Sequence, residues 1–107
     1  MANEAEPESC DVGLWGLAVM GQNFALNMAS HGFKVVVGNR TQSKVDLTVS
    51  RAEQEGNLPL YGSTSHTDFI SKLSKPRKII LLVMAGKPVD ETIAQLAEHL
   101  EPGDLIT

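Results

Sequence analysis

Residues 16–21 read Gly-Leu-Ala-Val-Met-Gly, GLAVMG, directly after the segment Asp11–Trp15 and directly before a stretch of helical periodicity. The spacing is that of Gly-x-Gly-x-x-Gly with alanine, Ala18, at the middle position. Such a loop has a mechanical task between a strand and a helix. Gly16 lets the chain turn tightly, and Gly21 lets the new helix lie close against the strand it has just left.

Working outward, Asp11 to Trp15 is expected as a short strand aimed at Gly16, and a helix is expected from about Met20 to Ser30. Phe24, Ala25, Met28 and Ala29 would form its apolar stripe, and Gly32 suits the left-handed position after its end. Phe33 to Val37 is a β-branched run of strand type. Thr41 stands as N-cap of a second helix, with Val45, Val49 and Ala52 on one face and an end near Gly56 and Asn57. Leu58 to Tyr61 suggests a short strand, and Thr67 to Leu73 a short helix stopped by Pro76. Ile79 to Val83 is apolar at every position, which suits a strand covered on both faces. Pro88 opens a further helix in its first turn, near Asp90 and Glu91. Its buried stripe would be Val89, Ile93, Leu96, Ala97 and Leu100, and Asp104 to Thr107 begins another strand. The alternation of strand and helix predicts an α/β fold, a Rossmann-like doubly wound parallel sheet. Because the sequence ends inside its fifth strand, the sheet of order 3-2-1-4-5-6 would be truncated at its C-terminal side.

Composition narrows the class. The 107 residues are 42% hydrophobic and 21% charged, ordinary for one globular domain and unlike a disordered chain. A net charge of −4 argues against a general nucleic-acid or anionic-membrane surface. The lone Cys10 cannot form an internal disulfide and lacks the companions of a structural zinc site. Residues 1–9 carry acids and no basic residue, unlike a secretory signal or a transit peptide. They are expected to be a disordered tail on a cytoplasmic protein whose domain runs from residue 10 to 107. No apolar run is long enough to span a bilayer.

A glycine turn that follows a strand and opens a helix within one βαβ unit is the setting of a dinucleotide-binding loop. The pyrophosphate would rest on free N–H groups at the helix N-terminus. The Ala18 methyl is tolerable if the phosphates sit slightly farther out. The end of the second strand then selects the nucleotide. An NAD site commonly has an acid there, about 20 residues after the loop, which accepts from the ribose 2′-hydroxyl. Here Asn39, Arg40 and Thr41 occupy that place, and Lys44 lies one turn on. A guanidinium binds a 2′-phosphate through paired hydrogen bonds where a carboxylate would repel it. The cofactor indicated is NADP.

Taken together, Gly16-Leu-Ala-Val-Met-Gly-Gln-Asn23, Asn39-Arg-Thr41 with Ser43-Lys-Val-Asp46, Gly56-Asn-Leu-Pro-Leu-Tyr-Gly62, and Lys75-Pro-Arg-Lys-Ile-Ile-Leu-Leu-Val83 with Ala85-Gly86 and Pro88-Val-Asp90 resemble 6-phosphogluconate dehydrogenase, the plant or algal cytosolic type in particular. The resemblance runs from about residue 12 to 107. It implies an NADP-dependent enzyme of the oxidative pentose phosphate pathway that decarboxylates 6-phosphogluconate to ribulose 5-phosphate and works as a homodimer. It further implies that the loop Gly16, Leu17, Ala18, Val19, Met20 and Gly21 holds the pyrophosphate and that Val83, Met84 and Ala85 contact the cofactor, with Met84 standing where the family usually has lysine. The family's Asp-Gly-Gly-Asn segment would follow Thr107. Its catalytic lysine and glutamate, its substrate site and its helical dimer domain lie farther on, so no catalytic residue is assigned here and the 107 residues alone are expected not to turn over.

Two alternatives stay open at this level. One is a 3-hydroxyisobutyrate-type β-hydroxyacid dehydrogenase domain, which shares a similar loop. The other is a noncatalytic dinucleotide-binding fragment. His31, His66 and His99 read as surface or capping residues, and Glu53, Glu55, Glu91 and Glu98 as solvated helix faces. Trp15, Met20 and Met28 read as core, and Cys10 has no basic neighbour to lower its pKa.

Overall fold

The computed structural model describes residues 8–82 and 87–106, without the side chains of 87–90 and 92. In chain order the elements are β1 (Val12–Trp15), α1 (Val19–Ser30), β2 (Val35–Gly38), α2 (Gln42–Gln54), β3 (Leu60–Gly62), α3 (His66–Ser71), β4 (Lys78–Leu81), α4 (Lys87–Ala97) and β5 (Leu105–Ile106). The five strands pair in the order β3-β2-β1-β4-β5, and every pairing is parallel. This is the expected doubly wound order, with β1 at its centre.

Burial explains why these runs are strands. Along β2, Val35 and Val37 enter one apolar layer with Leu14, Ala25, Leu26 and Val45, while Val36 enters the other with Trp15, Phe69 and Ile79. Each of these valines is fully buried, a contribution of roughly 1.5–3 kcal/mol apiece. The same alternation runs through β4 and just beyond it. Ile80 and Leu82 pack on the first layer, and Ile79 and Leu81 on the second. Helices on both faces are therefore required, as the unbroken apolar run implied.

Two expected stripes are corrected. In α1 the buried face is Gly21, Gln22, Ala25, Leu26 and Ala29. Phe24 is exposed and Met28 only half-buried. Gly21 sets the phase of the helix: a Cβ there would lie 1.9 Å from the Gly16 carbonyl oxygen, so this position must face the strand. Residues 25 and 29 follow Gly21 on the same face, and Phe24 is carried to the rim. In α4, Leu96 is buried and Leu100 half-buried, but Ile93 and Ala97 are exposed. That helix packs against α3, and only the line of side chains facing α3 and the sheet is covered. The Val89 side chain lies outside the described residues.

The segment before β1 is held by backbone bonds. Glu8 N–H donates to Ser71 O at 2.9 Å and Cys10 N–H to Lys72 O at 2.8 Å. Burial pushes the Cys10 thiol up to about 11, so it stays protonated and acts as a small core residue. Among the described residues no helix is long and apolar enough to cross a membrane, and no cluster of three or more His, Cys, Asp or Glu could hold a metal ion.

Candidate cofactor-binding site

The turn from β1 into α1 is built around two glycines. Gly16 has φ +115°, a conformation that L side chains rarely adopt, and its N–H donates to Gly38 O at 3.0 Å. The carbonyl of Gly16 then lies under Gly21, at the distance that excludes a side chain. The first bond of α1 runs from Gln22 N–H to Ala18 O at 3.0 Å. The N–H groups before it, through Gly21, are those a helix N-terminus leaves without a partner inside the helix. Ala18, Val19 and Met20 around them are all exposed.

Leu17 has a different place. Its N–H donates to Asn39 Oδ1 at 2.9 Å, and its carbonyl accepts from Gln22 Nε2 at 3.0 Å. Its side chain is buried. The Asn39 amide also donates to Thr41 O at 3.3 Å. Asn39 therefore ties the glycine turn to the loop after β2, a task that spacing alone does not reveal. Gln22, buried, in turn accepts from Arg51 Nη1 at 3.1 Å, which couples α1 to α2.

Thr41 is at the N-cap of α2, but its side chain makes no capping hydrogen bond. The expected cap is corrected: the Thr41 carbonyl accepts from Lys44 N–H at 3.1 Å, while its exposed hydroxyl is left to solvent or a ligand. Arg40 is 76% exposed and reaches Glu91 on α4, Nη2 to Oε2 at 3.5 Å. Met20, expected in the core, is 73% exposed at the helix start, because Gly21 rather than Met20 takes the strand-facing position. Val83, Met84 and Ala85 lie outside the described residues.

A cleft of ≈ 350 Å³ opens at the carboxyl ends of the strands, where ligands of open α/β sheets bind. Asn39, Arg40 and Gln42 after β2, Thr64, Ser65 and His66 after β3, and Gln95 of α4 line it. Trp15, at the end of β1, forms part of the lining. Its ring stacks on His66 with centroids 4.4 Å apart and meets Phe69 edge-on at 5.2 Å. The tryptophan is buried, as expected. It fits because its ring lies over Gly38, where an added Cβ would come within 2.3 Å of it.

Burial against Trp15, and secondarily the nearby His99, holds the His66 imidazole below the usual histidine range. The folded state therefore takes up this proton less readily than the unfolded chain. The resulting stability is present above about pH 6.5 and is lost as pH falls through the lower folded value. Trp15 is the single tryptophan of the sequence. Its emission is expected to change in a transition centred below pH 6.5, and His66→Gln should abolish that transition. A midpoint above 6.5 would contradict the assignment.

The strand order, the glycine turn at the central strand and the cleft at the carboxyl ends define a Rossmann-like domain of the nucleotide-binding class. Over residues 11–107 the chain matches the NAD binding domain of 6-phosphogluconate dehydrogenase, and it belongs to that family. It is 61% identical over 95 residues to the decarboxylating 6-phosphogluconate dehydrogenase 1 of Oryza sativa subsp. japonica, covering 89% of this chain and 20% of that protein. A Saccharomyces cerevisiae relative, decarboxylating 6-phosphogluconate dehydrogenase 2, is 56% identical, with 90% and 19% covered. Among solved structures, Plasmodium falciparum 6-phosphogluconate dehydrogenase, studied apo, with its cofactor NADP+ and with its substrate 6-phosphogluconate, aligns with a TM-score of 0.84. That pair is 52% identical, with 91% of this chain and 21% of that chain covered. The chain thus spans about a fifth of the length of the relatives it matches. A reductive aminase from Aspergillus terreus, 21% identical at a TM-score of 0.67, shares the fold alone.

Proposed function

We propose that this chain is the NADP-binding part of a decarboxylating 6-phosphogluconate dehydrogenase, which converts 6-phosphogluconate to ribulose 5-phosphate. The observation that carries the cofactor choice is Arg40. It is an exposed guanidinium at the end of β2, beside a glycine turn whose backbone donors face the same end of the sheet. The residues fit the group. Gly21 lets α1 start close against β1, which brings the exposed Ala18, Val19 and Met20 to the helix start, where their N–H groups are available to a pyrophosphate.

The parts of the turn differ in role. Gly16 and Gly21 shape it, Leu17 and Asn39 lock it, and Ala18 to Met20 present N–H groups. Arg40, with the Thr41 hydroxyl, takes a 2′-phosphate. The inferred contacts of Val83, Met84 and Ala85 complete the cofactor set. When bound, NADP supplies the hydride acceptor. No residue of this chain is assigned to proton transfer or to holding the sugar acid. Those tasks, and pairing as a homodimer, belong to the remainder of such an enzyme. The named relatives favour the sugar-acid enzyme over a β-hydroxyacid dehydrogenase.

Arg40→Ala tests the reading. A charge-assisted hydrogen bond is worth roughly 1.5–3 kcal/mol. Titration calorimetry should therefore show NADP+ binding weakened about ten- to a hundred-fold, with NAD+ binding barely changed. Equal losses for both cofactors would remove the 2′-phosphate role.

A further inference from the structure

We infer that Glu91 is a specificity-determining residue that holds down the preference for NADP over NAD by competing for Arg40. The inference rests on the cofactor reading above and adds a residue that sequence reading assigned to a solvated helix face.

The geometry is specific. Arg40, on the loop after β2, lines the cleft. Its guanidinium is paired with the Glu91 carboxylate of α4 at 3.5 Å, 51 residues away in sequence. Four residues after Glu91, and so on the same side of α4, Gln95 also lines that cleft. The ion pair therefore ties the loop after β2 to the side of α4 that borders the cleft. A 2′-phosphate and the Glu91 carboxylate are both anions that seek the same guanidinium, so binding the phosphate must displace Glu91 or crowd two negative charges. A ribose 2′-hydroxyl carries no charge and leaves the pair in place. Glu91 thus lowers affinity for the phosphorylated cofactor while sparing the unphosphorylated one. Both side chains are largely exposed, at 76% and 47%. The pair is consequently weak, and the effect is a tuning of selectivity rather than a block.

The test is a double-mutant cycle on the purified protein, with NADP+ and NAD+ binding measured by calorimetry at low salt. Glu91→Gln keeps the shape and removes the charge. It is expected to tighten NADP+ about two- to five-fold, the range of an exposed ion pair, and to leave NAD+ unchanged. In an Arg40→Ala background the same substitution should tighten NADP+ less, because the competition for Arg40 is gone and only direct repulsion by Glu91 remains. If Glu91 instead pre-orients Arg40, Glu91→Gln will weaken NADP+, and the inference is overturned. Unchanged NADP+ affinity overturns it equally. Failure of the underlying cofactor reading looks different: Arg40→Ala would then weaken both cofactors alike.

Discussion

Gly21→Ala is expected to cost about 3 kcal/mol of folding stability, at the upper end of what overpacking does, and to weaken dinucleotide binding at least ten-fold. The added Cβ would meet the Gly16 carbonyl oxygen at 1.9 Å and its carbon at 3.0 Å. These are backbone atoms, so no rotamer change relieves the clash, and α1 must move away from β1. That displacement pulls on everything the turn organises. The Gly16 N–H bond to Gly38, the Leu17–Asn39 bond and the Gln22–Leu17 bond all cross the moving boundary. The N–H groups of Ala18 to Met20 shift with the helix start. Ala18→Gly is the matched control, since it restores the middle glycine of the pattern. Ala18 is exposed with φ −67°, an ordinary conformation, and glycine is a better N-cap than alanine. Its stability should change by no more than about 0.5 kcal/mol. Urea denaturation of the two variants, with calorimetric titration of NADP+, measures both effects. Similar stability for the two would mean that close helix–strand packing is not what residue 21 provides.

The contrast between residues 18 and 21 also shows what the sequence could convey. Glycine spacing and apolar runs are local signals, and they carried the order of strands and helices, the turn and the class of nucleotide. The phase of α1 was misread because Phe24 and Met28 are large and apolar. A glycine that must touch a carbonyl outranks them, and no hydrophobicity count registers it. Contacts between distant segments were likewise invisible. Asn39 was read only as the neutral residue that replaces an acid, yet its oxygen staples the Leu17 N–H across 22 residues. Glu91 reads as solvated and is exposed, but its spacing does not show that it also reaches Arg40 from α4. His66 reads as a surface or capping residue, but it stacks on the tryptophan that lines the cleft. The Arg40 prediction depends on a strand end, which the β-branched run places by itself and which falls at Gly38.

The second large effect is expected at the far side of the sheet, from Asp104→Ala, at about 3 kcal/mol of destabilisation, the cost of breaking a buried pair by removing one partner. Asp104 precedes β5 and clasps the segment before β4. Its Oδ1 accepts from Arg77 N–H at 2.7 Å, and its Oδ2 accepts from Arg77 Nη1 at 3.1 Å and from Glu101 N–H at 2.9 Å. The two side chains are only 8% and 2% exposed. Leu105 N–H donates to Arg77 O at 2.8 Å, so Arg77 holds the start of β5 through its carbonyl as well as through Asp104. Burial alone would raise the Asp104 carboxyl. The N–H groups of Arg77 and Glu101, followed by the guanidinium, outweigh burial and hold it below the usual carboxylate range. The clasp's contribution is therefore complete above about pH 4 and is lost as pH falls through the lower folded value. In the variant, the part of the acid-unfolding transition due to this group should disappear. Truncation leaves a buried guanidinium whose Nε already has no hydrogen-bond partner among the described residues. Replacing both partners, Arg77→Leu with Asp104→Leu, should consequently cost less than Asp104→Ala alone, because it does not leave a buried guanidinium with only the His99 carbonyl at 3.2 Å and the Glu101 carboxylate at 3.7 Å. Urea denaturation across pH 3 to 8 gives both comparisons. A double variant as unstable as the sum of its single changes would show that Arg77 and Asp104 act independently, and the edge strand would then owe its place to apolar packing of Ile106 instead.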